Sequence, residues 1–105
     1  MARCIVKIKD SYFEWSTVAD APVTYAMTRS NMIRHLMRSD GNQDRVQERM
    51  YRVDENGHSA LWTSCALDEF IAGNRAGPDE SCLSVDEIYE RYKSEEAYEG
   101  AKQPD

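Results

Sequence analysis

Residues 3–18 read RCIVKIKDSYFEWSTV, two apolar runs on either side of a polar break. In the first run Cys4, Val6 and Ile8 alternate with Arg3, Lys7 and Lys9. That is the period-two pattern of a strand with one covered face. Lys9-Asp10-Ser11 supplies turn chemistry, and residues 12–18 (YFEWSTV) are rich in the aromatic and β-branched types that suit a pleated surface. The segment predicts an antiparallel hairpin. Phe13 and Trp15 are expected to share the buried face with Cys4, Val6 and Ile8, and Glu14 and Ser16 to face water. Residues 19–22 break the strand, because Pro22 has no N–H to give a ladder. Residues 23–27 (VTYAM) lead, extended, toward a helix.

Thr28 or Ser30 is expected to cap that helix, whose stripe is Met32, Ile33, Leu36 and Met37, and Asp40-Gly41-Asn42 ends it. Residues 43–62 carry two signals. Val46, Met50 and Val53 have helical spacing. Met50 to Val53, the turn Asp54-Glu55-Asn56-Gly57 and His58 to Trp62 instead read as a second hairpin, since Asn-Gly readily takes the positive φ of a tight turn. The turn signal is the sharper, so the hairpin is the expectation. Thr63 or Ser64 is expected to cap a short helix through Ala72, followed by a Gly-, Asn- and Pro-bearing loop to Pro78. Ser84-Val85-Asp86-Glu87 matches a capping box ahead of Val85, Ile88, Tyr89 and Tyr92, the apolar face of a last helix. The fold class is therefore α+β: antiparallel hairpins, three to four strands in all, packed against two or three helices. Residues 1–94 form one domain, and the acidic tail 95–105 is expected to fray as apolar residues give out.

Composition restricts the function classes. The chain has 105 residues, 41% apolar and 30% charged, with a net charge of −6, enough for one modest core. No run of apolar residues is long enough to span a bilayer, and the N-terminus has no long apolar stretch, so neither membrane insertion nor export is expected. Cys4, Cys65 and Cys82 are an odd set without a closed disulfide framework, which points to a reducing compartment, the cytoplasm. A zinc site from Cys65, Cys82 and His58 lacks the paired ligand spacing of structural sites, so three ordinary thiols and no cofactor are expected. Phosphate-loop, dinucleotide, nucleophile-elbow and metalloprotease motifs are missing. Cys65 with His58 as nucleophile and base has nothing in its spacing to set the hydrogen bond. The chain reads as a binder and not an enzyme, with a reactive Cys65 as the enzymatic alternative.

Charge is the most informative feature. Residues 1–53 carry nine basic and six acidic side chains; residues 54–105 carry four basic and thirteen acidic ones. A surface built from Asp86, Glu87, Glu90, Glu95 and Glu96, with Tyr89 beside them, attracts a basic partner through long-range fields that salt weakens. The plainer reading of the same residues is a solvated helix face. Arg29, Arg34, Arg38, Arg45, Arg49 and Arg52 are the opposite signal, and Arg34 and Arg38 lie one helical turn apart, suited to successive phosphates. A nucleic-acid-binding regulator using Arg34, Arg38 and Arg49 is thus a second reading, against which the acidic whole and the lack of a recognised motif argue. Tyr12, Tyr25, Tyr51, Trp62, Tyr89, Tyr92 and Tyr98 exceed what one small core needs, and such residues are favoured at interfaces.

YFEWSTVADAPVTYAMT near the start and IAGNRAGPDESCLSVDEIYERY near the end resemble a pattern in small accessory proteins of tailed bacteriophages. The likeness covers the first and last thirds and carries no catalytic motif. It implies a bacterial host cytoplasm as the workplace. It also implies an inhibitor of host machinery, of the anti-CRISPR or other anti-defence kind, that binds a host protein or complex with a basic surface and blocks it without catalysis.

Overall fold

The computed structural model describes residues 3–94. Strands β1 (Arg3–Ile8), β2 (Ser11–Ser16) and β3 (Ala21–Pro22) form one antiparallel sheet in the order β1-β2-β3. Four α-helices follow among the described residues: α1 (Arg29–Ser39), α2 (Gln43–Asn56), the single turn α3 (Leu67–Phe70) and α4 (Val85–Tyr92). The class is α+β. The hairpin turns through Lys9-Asp10, with Lys9 at a φ of 57°, and opposes Val6 to Phe13 and Cys4 to Trp15. Pro22 sits on the short outer strand, where its missing N–H leaves no ladder bond unmade.

Both faces of the hairpin are covered. Val6, Ile8, Phe13 and Trp15 pack with Ile71, Ala76, Ile88 and Tyr92. On the other face Ile5 and Tyr12 pack with Met32, Leu36, Val46, Met50 and Val53. Glu14 and Ser16 were expected to face water; Ser16 is buried and Glu14 half-buried, because this second face lies beneath α1 and α2. The sheet is a middle layer between two layers of helix, each closing one apolar cluster.

The second hairpin expected in residues 43–62 is not formed. Residues 43–56 are a continuous helix, capped by the Asn42 side chain on the Arg45 N–H and ended by Gly57 at a φ of 85°. The Asn56-Gly57 pair that read as a tight turn is a helix stop, since a left-handed glycine closes a helix as readily as a hairpin. Val46, Met50 and Val53 at i, i+4 and i+7 bury one stripe on the sheet, and that burial decides between the two readings. A side chain at Gly57 would be strained by the left-handed φ and crowded as well, its Cβ 3.0 Å from the Leu67 Cβ. The short helix is smaller than expected. It spans Leu67–Phe70 behind Ala66, with no side-chain cap, while the Thr63 hydroxyl accepts from the Cys65 N–H instead. Thr28 caps α1, and Ser84 and Glu87 form the expected capping box of α4.

Loops close the sheet on both sides. On the β1 edge, Lys7 N–H donates to Gly57 O (2.9 Å), Ser59 N–H to Ile5 O (3.0 Å) and Ile5 N–H to the Ser59 hydroxyl (2.8 Å). On the β2 edge, Tyr12 and Met27 exchange both backbone bonds at 2.9 Å, and Glu14 N–H donates to the Thr24 hydroxyl. His58, buried beside β1, is fully satisfied: Ala60 N–H donates to Nδ1 at 3.2 Å, so the ring proton resides on Nε2, which donates to Cys65 O at 2.8 Å.

One polar network links the sheet to the helices above it. The Tyr12 hydroxyl donates to Asp54 Oδ1 at 2.6 Å, and Arg29 holds Asp54 Oδ2 through Nε and Nη2 at 3.1 and 2.9 Å. Burial, then the Asp54 carboxylate, push the Tyr12 hydroxyl up to about 12 from an ordinary value of 10.0. A pKa raised on folding stabilises the neutral form, so the contribution is fully present below about pH 10 and is lost as pH climbs through about 12. The loss amounts to about 2–3 kcal/mol. Thermal midpoints measured across that alkaline range should fall more steeply for the native chain than for Tyr12→Phe, which has no proton to lose; equal slopes would refute this account of the network.

Candidate functional site

Of the acidic residues singled out in the sequence, Asp86, Glu87 and Glu90 lie together on α4. Helix α4 forms because the capping box satisfies its first amides and because Ile88 and Tyr92, one turn apart, fill the cluster over β1 and β2. Two further bonds fix its far end: the Tyr92 hydroxyl donates to Ala76 O at 2.9 Å, and Ala26 N–H donates to Tyr92 O at 2.8 Å. This seating turns Asp86, Glu87 and Glu90 outward to solvent. With Leu83 and Arg91 they line a shallow, open groove of about 460 Å³ whose surface is mostly apolar.

The position of Leu83 in this groove is set by Asn74, a buried side chain that uses its whole hydrogen-bonding capacity. Its Nδ2 donates to Ile71 O (2.9 Å) and Leu83 O (2.8 Å), and its Oδ1 accepts from Ala76 N–H (3.2 Å) and Leu83 N–H (3.0 Å). A loop read from Gly, Asn and Pro content is therefore a fixed support, and nothing in the sequence singled out this asparagine from the other loop residues.

The individual carboxylates differ in how free they are. Glu87 is committed to the capping box: its carboxylate accepts from Ser84 N–H at 2.9 Å, and that backbone bond, then the Ser84 side chain, holds its carboxyl below the usual range. Glu90 lies 2.8 Å from Lys93 Nζ, whose hydrogen bond and charge lower its carboxyl; an exposed pair of this kind is weak and exchangeable. Asp86 makes no ion pair among the described residues. Tyr89 is half-buried against the core cluster, with Lys9 Nζ 4.4 Å from its ring centre. Arg91 Nε is buried without a hydrogen-bond acceptor among the described residues. Glu95 and Glu96, the remaining acidic candidates, lie outside the described residues, as does Tyr98.

The residues of the other readings are dispersed. Arg34 and Arg38 are exposed on α1, in the opposite layer, while Arg49 is half-buried on α2. Arg29, Arg45 and Arg52 pair with Asp54, Asp40 and Glu48. Cys65 is half-buried, and both ring nitrogens of His58 are taken by backbone groups, so the imidazole is not placed to serve as base to a thiol. Among the described residues no three His, Cys, Asp or Glu side chains gather as a metal site, and no helix is long and apolar enough to cross a membrane. Of the interface aromatics, Tyr12 and Tyr92 are core, Tyr25 and Tyr89 are half-buried, and Tyr51 and Trp62 are exposed.

Comparison of the chain with models of known families, with curated proteins and with solved structures returns no match in any of the three.

Proposed function

We propose that this chain is a non-catalytic binding protein whose α4 groove receives a basic side chain of a partner protein. The observation that carries the reading is a mostly apolar trough rimmed by three carboxylates. A lysine or arginine has the same two-part chemistry, an aliphatic stem that lies on apolar surface and a charged head that needs acceptors. Leu83 meets the stem, and Asp86 and Glu90 meet the head, with Lys93 displaced from Glu90. The likeness of the two ends of the chain to phage accessory proteins makes a bacterial host complex with a basic surface the partner class. Blocking of that complex by occupancy is the proposed effect.

The test compares capture from bacterial lysate by the native chain and by Asp86→Asn/Glu90→Gln. These two positions are chosen because Glu87 also caps α4, so its replacement mixes binding with folding. The double neutralisation should leave the circular dichroism and thermal midpoint nearly unchanged and weaken the captured partner by about tenfold or more. It should also flatten the salt dependence. Undiminished capture by the variant would eliminate α4 as the contact surface.

A further inference from the structure

A second groove, on the other helical layer, has the opposite character. Residues 23–28 run beside α1 and enclose with it a cleft of about 510 Å³, half open to solvent. Arg34, His35 and Arg38 line it from α1, and Thr24 and Asn31 add polar groups. Helix α1 carries three arginines and no carboxylate between Arg29 and Ser39. Arg34 and Arg38 make no ion pair among the described residues, although Arg3, Arg29, Arg45, Arg52 and Arg75 all do. Glu14 is the carboxylate nearest His35, and it is already engaged: Oε1 lies 2.7 Å from His35 Nε2 and Oε2 lies 3.7 Å from Arg3 Nη1. Two guanidinium groups one turn apart therefore line the cleft with no ion-pair partner among the described residues.

We infer that this cleft binds a small phosphorylated molecule, with its phosphate between Arg34 and Arg38 and its organic part against Val23 and Met27. Guanidinium groups offer planar forks that match phosphate oxygens two at a time. The cleft volume lies within the range of small-ligand sites, and its wall sets Val23 and Met27 beside the polar groups of Thr24, Asn31, Arg34 and Arg38, a more polar lining suited to a charged ligand. The net charge of −6 separates this ligand from nucleic acid. A polyanion laid along the surface meets the whole negative field, whereas one phosphate held within a cleft meets chiefly the adjacent arginines, because ions screen the remainder. The site is independent of the α4 groove and stands or falls without it.

Adenosine monophosphate serves as the probe, titrated into the full chain by calorimetry and by amide shift mapping. Saturable binding in the millimolar range or tighter is expected, with shifts concentrated in residues 23–38. Unphosphorylated adenosine should bind at least about tenfold more weakly, and Arg34→Gln/Arg38→Gln should weaken the monophosphate by a similar factor. Both arginines are exposed and make no ion pair among the described residues, so the variant should keep its native circular dichroism. The assignment is overturned if the monophosphate does not saturate, if the variant binds it equally well, or if the shifts fall outside residues 23–38. A short single-stranded oligonucleotide that binds more tightly than the monophosphate, with a steep salt dependence, overturns it in favour of nucleic acid.

Discussion

Asn74→Ala is expected to destabilise the chain by about 3–5 kcal/mol, since it strands several buried or part-buried backbone groups at once and each costs about 1–3 kcal/mol unless water reaches it. The groups are Ile71 O, Ala76 N–H, and the N–H and C=O of Leu83. Ile71 O retains the Asn74 N–H, which tempers its share. In a domain of this size the change lowers the thermal midpoint by about 20 °C. Asn74→Asp discriminates the cause. It preserves shape and the acceptor oxygen but has no amide to donate, and it puts a charge where the side chain is buried. If that variant is as stable as the native chain, the hydrogen bonds are not what holds the loop. Because the same asparagine fixes Leu83, any surviving folded fraction of Asn74→Ala should also bind the α4 partner more weakly.

Phe13→Ala is expected to cost about 3–5 kcal/mol, the range for emptying an aromatic site in a packed core. Phe13 is fully buried, opposite Val6, in the cluster that seats α4. Against a total stability of about 5–15 kcal/mol for a domain, this is a large share. The loss is not evenly placed. The cluster beneath α1 and α2 contains Ile5 and Tyr12 but not Phe13. Hydrogen exchange in Phe13→Ala should therefore accelerate first in α4 and residues 71–83, ahead of α1 and α2. Uniform acceleration across both layers would show that the two clusters melt as one.

The hairpin, the Thr28 cap, the α1 stripe and the Ser84 capping box were all legible, because each depends on residues close together in the chain. The second covered face was legible in part. Cys4-Ile5-Val6 and Tyr12-Phe13 place apolar side chains on consecutive positions, which a strand with one wet face does not need. The alternation of Val6 and Ile8 with Lys7 masked that signal. Residues 43–56 were misread because a glycine after an asparagine serves a turn and a helix end equally well. What decides for the helix is that Val46, Met50 and Val53 cover Ile5 and Tyr12 on the second face of the sheet, a long-range fact. The charge division was visible as a difference between halves, but which carboxylates stay free was not. Glu87 and Glu90 are distinguished from Asp86 by bonds to Ser84 and Lys93, and the first of these was implied by the capping box itself. The α1 cleft was unreadable beyond Arg34 and Arg38, since its other wall comes from a segment without a regular element.

The closed margins of the sheet restrict how this molecule meets anything else. The outward-pointing amide of Lys7, and both the amides and the carbonyls of Ile5, Tyr12 and Glu14, are already spoken for by the chain's own loops. Along these described stretches a visiting peptide finds little backbone ladder to extend, so strand addition there is disfavoured as a mode of recognition, and so is the edge-to-edge stacking by which small β proteins polymerise. Selectivity must therefore be written in side chains, and single substitutions on the helical layers can redirect it without disturbing the scaffold between them.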